Sequence, residues 1–160
     1  MNAVLFSRLT NWNLKMLSAK LFVALSVLQV GIAVLGSRTT PQPINIGVHG
    51  TCLVVGRIEL QIMLALASAC FALTYFAASR WVSHPLNNSL GLVHFAITTI
   101  GFGLLSLSLY MLRSSAPAND FPGQARPFFA FLAGVLCFLS GCATLAVNCI
   151  WTTLTTFWTH

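Results

Sequence analysis

The chain has 160 residues, 57% of them apolar, and only eight Lys/Arg and two Asp/Glu. A soluble domain carries roughly a quarter of its residues as charges, so a charged fraction of 6% leaves too little for a water-facing surface, and a mean hydropathy of +0.84 agrees. These values exclude a soluble enzyme, a disordered chain and a nucleic-acid binder: the net +6 reflects scarce acids, not a Lys/Arg cluster able to track phosphates.

A helix that crosses a bilayer needs about 20 mainly apolar residues. The first such stretch centres on residues 21–36 and extends back past Lys20 toward Leu14, which predicts a helix over about 14–36. Arg38, Pro41 and Pro43 then mark a connection. The second stretch runs through residues 60–78 and extends upstream to about Val48, predicting a helix over 48–79. His84, Pro85 and the Asn87-Asn88 pair follow as loop chemistry, and a charge-free run predicts a third helix over 89–113. Pro117, Asp120, Pro122, Gly123 and Pro127 form a run that cannot continue a helix, so the fourth is predicted over 127–155. The expected fold is an all-α integral membrane protein, a four-transmembrane-helix bundle occupying residues 1–160 as a single membrane domain.

Loop charges orient this bundle. With the N-terminus inside, Arg8, Lys15, Lys20 and Arg80 lie on the inner side and Arg38, Arg113 and Arg126 on the outer, so both termini are expected on the cytoplasmic or matrix side. A cleaved signal peptide is the competing reading of residues 1–36, but its basic region would be unusually long and the site around Gly36 is not a clean A-x-A. The acid-free start could also serve a mitochondrial import signal, though it is too apolar to be a good one. Cys52, Cys70, Cys137, Cys142 and Cys149 form no CxxC and lie in or beside apolar stretches, so they read as small hydrophobes.

Arg57 and Glu59 are the anomaly, because they fall inside the apolar run of the second helix. At mid-bilayer two charges would cost about 5–7 kcal/mol, against about 4–7 kcal/mol returned by the Leu, Ile, Val and Phe of that helix. The pair must therefore lie near an interface, snorkel or face protein. Two positions apart on a helix, the side chains diverge by about 200° and do not pair with each other. An ion pair with another helix or subunit is the favoured reading over a transport path. His49 precedes the second helix, His84 lies in a loop, His94 is near the start of the third helix and His160 is terminal, with no i, i+3 or i, i+4 pair among them. A lone His94 in a bundle reads more readily as a hydrogen-bonded core residue than as a haem ligand. No carboxylate pair, phosphate loop or activated nucleophile appears, so independent catalysis is not expected.

Small residues mark helix packing: Ala65/Ala69 and Ser68/Ala72 on the second helix, Gly101 and Gly103 on the third, Gly134 and Gly141 on the fourth. Phe128, Phe129 and Phe131 at one end of the fourth helix, with Trp151, Phe157 and Trp158 at the other, suit an aromatic belt.

The stretch Val48-His49-Gly50-Thr51-Cys52-Leu53-Val54-Val55-Gly56-Arg57-Ile58-Glu59-Leu60-Gln61 resembles the segment of haem-copper oxidase subunit I that reads roughly L-H-D-T-Y-F-V-V-G-H-F-H. The resemblance resumes at His84-Pro85-Leu86-Asn87, Leu90-Gly91, His94-Phe95 and Ile100-Gly101-Phe102, with a fainter echo of D-Y-P at Asp120-Phe121-Pro122. It covers about residues 20–155 and corresponds to the last four helices of a twelve-helix subunit. In that family the histidines of H-F-H are haem axial ligands; here those positions hold Arg57 and Glu59, and neither an Arg nor a lone Glu replaces an imidazole on haem iron. The family's Asp after the first His is Gly50, and Ala116 and Pro117 stand near where its propionate-holding arginines would be. His49 and Thr51 are what remains of the site.

The resemblance implies a shortened, degenerate relative: a non-catalytic accessory or structural subunit of a respiratory haem-copper terminal oxidase, without cofactors of its own. Its expected partners are the catalytic subunits and the lipid bilayer, not nucleic acid, and its expected location is the bacterial inner membrane, or alternatively the mitochondrial one. The competing readings are a haem-binding protein using His49 or His94, and a small transporter or channel subunit with Arg57 and Glu59 along a polar path.

Overall fold

The structure, a computed structural model, describes residues 16–37, 44–48, 51–81, 86–114 and 121–158. It contains four long helices: α1 (Leu17–Ser37), α2 (Arg57–Trp81), α3 (Asn88–Ser114) and α4 (Phe121–Trp158). Each is long and apolar enough to cross a membrane, over Leu17–Gly36, Ile58–Arg80, Asn88–Met111 and Arg126–Thr155. The four-helix reading holds.

Two boundaries differ from expectation. Val48 and residues 51–55, expected within the second helix, do not lengthen α2. With residues 44–47 they form an antiparallel ribbon, β1 (Ile44–Val48) and β2 (Thr51–Val55), paired Ile44↔Val55 through Val48↔Thr51. Ile44, Ile46, Val48, Thr51, Val54 and Val55 are β-branched, which stiffens χ1 against a helix and suits a pleated strand. Apolarity alone made this segment look like more of the same helix. His49 and Gly50, between the strands, lie outside the described residues.

The second difference is at α4, which starts at Phe121, ahead of the expected 127. Pro122 falls in the first turn, where its missing N–H costs nothing. Pro127 is inside the helix and removes the donor that would bond the carbonyl of residue 123.

Constant residue sums reveal antiparallel neighbours. In α1 and α2, the Ser26 hydroxyl donates to the Ala65 carbonyl (2.9 Å) and Phe22 meets Phe71. In α3 and α4, Asn87 meets Asn148, Thr98 meets Gly141 and Gly101 meets Gly134. Gln61 with Ser106, and Tyr75 with His94, align α2 against α3 in the same sense. The α1–α2 and α3–α4 hairpins are each tightly packed, and contacts between the hairpins are sparser. The core is an aromatic cluster of Phe22, Tyr75 and Phe102 with Leu25, Leu64 and Leu105, flanked by Phe71, Phe95, Phe131 and Phe138.

Glycine sets the α3–α4 distance. A Cβ on Gly101 would lie 3.0 Å from both the Gly134 carbonyl oxygen and the Phe138 nitrogen, and one on Gly134 would lie 3.0 Å from the Gly101 carbonyl oxygen. The helices thus cross backbone to backbone. Gly103, expected to act in the same way, faces outward with nothing within 4 Å of where its Cβ would be. On α2, Ala65, Ser68 and Ala72 are buried as expected. Phe128, Phe129, Trp151 and Trp158 are exposed at the ends of α4, whereas Phe131 packs against the core. Cys70, Cys137, Cys142 and Cys149 are free thiols.

Candidate functional site

Glu59 sits at the start of α2. The Leu60 amide donates to the Gly56 carbonyl at 3.0 Å, so Gly56 is the N-cap and Glu59 the third helical residue. That is the position from which a glutamate reaches back over the helix start. The Glu59 carboxylate does so, occupying the space that any Cβ on Gly56 would need. A carboxylate in the first turn also meets the positive end of the helix dipole, an effect of about 0.3–1 kcal/mol. Glu59 is exposed and lies at the end of the Ile58–Arg80 span, as does the backbone of Arg57. The mid-bilayer cost therefore does not arise, because penalties for charged groups fall toward the membrane interface. The Arg57 side chain and all of His49 lie outside the described residues, as do His84 and His160.

His94, on α3, is fully buried. Its Nδ1 is 3.1 Å from the Tyr75 hydroxyl of α2. Phe71 meets the imidazole edge-on at 4.7 Å between centroids, Phe22 lies at 4.8 Å and Tyr75 at 5.8 Å. Nε2 has no hydrogen-bond partner among the described residues, nor has the buried Thr98 hydroxyl one turn further along. Both side chains adjoin Gly141, whose absent Cβ would lie 2.5 Å from Thr98 Oγ1 and 3.4 Å from His94 Cδ2.

A second polar tie was not legible as a site. Asn148 of α4 is fully buried. Its Nδ2 donates to the Asn87 carbonyl (3.1 Å), and its Oδ1 accepts from the Asn87 amide (2.9 Å). Asn87 is in turn the N-cap of α3: its Oδ1 accepts from Ser89 (2.9 Å) and Leu90 (3.4 Å). The Asn87–Asn148 and Tyr75–His94 pairs together make a polar seam across three helices. Gln61, almost fully buried, adds a separate tie by donating to Ser106 Oγ at 2.8 Å. A lone amide in an apolar span such as Arg126–Thr155 was the available signal, since it demands a partner.

Removing the Tyr75 hydroxyl tests the seam. Tyr75→Phe is expected to lower stability in detergent-induced unfolding by about 0.5–1.5 kcal/mol, because it leaves both His94 nitrogens unpaired in an apolar surround. In a His94→Leu background the same change should cost much less. Equal costs in both backgrounds would remove the bond from the account.

The chain matches the family model described as Cytochrome C and Quinol oxidase polypeptide I over residues 3–114, more than half its length. The chain belongs to this family. No curated protein and no solved structure matches it significantly. The family match runs through α1, α2 and α3, and α4 lies beyond it, as does the Asp120-Phe121-Pro122 echo. Family membership and four span-length helices make this a multi-pass membrane protein related to haem-copper oxidase subunit I, and connect it with an oxidase complex.

The family resemblance implies haem, and among the described residues no side chain is placed to ligate it. Glu59 is turned onto the start of its own helix. His94 has Nδ1 committed to Tyr75, aromatic rings at contact distance and Nε2 in the close α3–α4 crossing beside Gly141, where a porphyrin plane has no room. Among the described residues no three of His, Cys, Asp and Glu come together. Of the four residues singled out beforehand, the structure puts Glu59 and the Arg57 backbone at one end of α2 and His94 in the core toward the other, and it does not bring them together.

Proposed function

We propose that this protein is a non-catalytic accessory subunit of a respiratory haem-copper terminal oxidase, embedded in the same energy-transducing membrane as the catalytic subunits. One observation carries the reading: within a stretch matched to the oxidase family, the positions that resemble its haem-ligand histidines hold Arg57 and Glu59, at the start of α2. The chemistry of those side chains supports docking in place of redox work, because a guanidinium stays protonated and offers donors in a fixed fork to a partner's carboxylate or carbonyl groups. Gln61, Tyr75, His94 and Asn148 support a structural role, since each has a polar group that ties one helix to another.

Co-purification after gentle solubilisation of the native membrane tests it. Oxidase subunits are expected to travel with the chain, and a preparation in which none does overturns the proposal. Arg57→Ala is expected to loosen that association without altering the haem spectrum of the catalytic subunit. Pyridine haemochrome analysis of the isolated chain is expected to give no haem signal; stoichiometric haem would favour the haem-binding reading instead.

A further inference from the structure

We propose that the outer face of α2, at the end opposite Glu59, binds an anionic phospholipid from the bilayer, with Arg80 on its phosphate. Leu73, Phe76, Ala77 and Arg80 line a half-open groove of about 510 Å³. The spacing i, i+3, i+4, i+7 makes them a single stripe over two turns. Leu73 and Phe76 are exposed large hydrophobics there, and the Arg80 guanidinium stands 5.6 Å over the Phe76 ring. Arg80 closes the Ile58–Arg80 span, so the stripe runs from within the apolar layer to its boundary. An acyl chain suits the first three side chains, and a phosphate at the interface suits the fourth, which presents paired N–H donors.

Charge placement selects an anionic occupant over a neutral one. The chain has two side-chain carboxylates. Glu59 is at the opposite end of α2, roughly 30 Å away along the axis. Asp120 belongs in sequence to the connection from α3 to α4, and the helix ends it joins are at the Glu59 end. Among the described residues no side-chain carboxylate lies near Arg80, while Lys20, near the start of the antiparallel α1, adds positive charge at the same end. The cation-π contact holds the guanidinium over the groove without neutralising it. A positive site at a membrane boundary, continuous with an apolar groove, attracts an anionic headgroup that carries its own chains. This inference does not depend on the accessory role.

The test uses the full chain reconstituted in phosphatidylcholine bilayers with phosphatidylglycerol as a minor component, then released into mild detergent for native mass spectrometry. The wild type is expected to retain phosphatidylglycerol in preference to phosphatidylcholine. Arg80→Gln should reduce the retained phosphatidylglycerol about five-fold, the equivalent of about 1 kcal/mol for one basic side chain at a membrane surface. Ala77→Trp, which fills the groove and leaves the charge, should reduce it too, whereas Arg126→Gln at the other end should not. Circular dichroism confirms that each variant keeps its helices; all three positions are at the bilayer-facing surface. Undiminished retention in Arg80→Gln overturns the proposal. Loss in Arg80→Gln with full retention in Ala77→Trp overturns the groove, and displacement of the lipid by soluble glycerol phosphate overturns a bilayer lipid as the occupant.

Discussion

Gly101→Leu is expected to destabilise the α3–α4 hairpin by about 1–3 kcal/mol or more, while Gly103→Leu leaves it nearly unchanged. Both changes are in the same helix and add the same side chain. They differ only in face. At Gly101 the atoms in the way are the Gly134 carbonyl oxygen and the Phe138 nitrogen, each 3.0 Å from the first added carbon, and backbone atoms cannot rotate aside. The helices must separate, which also opens the Phe102–Phe138 stack, now 5.8 Å between centroids. At Gly103 the added carbons enter the space where acyl chains lie, with nothing within 4 Å. Unfolding midpoints of the two variants in mixed micelles decide the matter, and equal shifts would show that the crossing at Gly101 does not set the fold.

Asn148→Leu is the second large effect expected, about 1–3 kcal/mol. Leucine keeps the branched shape but withdraws the acceptor of the Asn87 amide and one of the two donors to its carbonyl. The carbonyl keeps its bond from the Gly91 amide (2.9 Å), so the first turn of α3 survives in weakened form. Hydrogen exchange should therefore accelerate at residues 87–91 and remain slow further along α3. Asn87→Ala removes the cap and leaves the backbone tie, and should cost about 1 kcal/mol. If exchange at the start of α3 is the same in Asn148→Leu as in the wild type, the inter-helix tie carries no weight.

Composition decided the class and hydropathy placed the four spans, because lipid imposes a long, uninterrupted apolar run that few other constraints mimic. The ribbon at residues 44–55 escaped that reading: its apolarity matched a helix, and β-branching was the competing signal. The glycine faces were half legible. Spacing identified Gly101, Gly134 and Gly141 as small, but only the packed geometry separated them from the outward Gly103. For Arg57 and Glu59 the energetic argument left an interface, snorkelling or a protein-facing position open, and Gly56 as N-cap explains how α2 starts late enough to put Glu59 at the end of the span. His94 read as a bonded core histidine and is bonded to Tyr75. Asn148 was passed over because a single polar residue has no periodicity, and its partner is 61 positions away in the chain.

The division into two hairpins has a consequence for biogenesis. Each hairpin closes on itself through dense local contacts, so α1 with α2, and α3 with α4, can enter the bilayer as two successive insertion units with low-entropy loop closure. The contacts joining the units include Tyr75 to His94, Gln61 to Ser106, the Phe22 ring against His94 and Phe95, and the Phe71 ring against His94 and Phe138. Those contacts are expected to form last, once two inserted hairpins meet in the plane of the membrane. Lesions among them would therefore leave an inserted, fully helical chain that fails to mature, a defect that would surface as turnover by membrane proteases, with normal translocation.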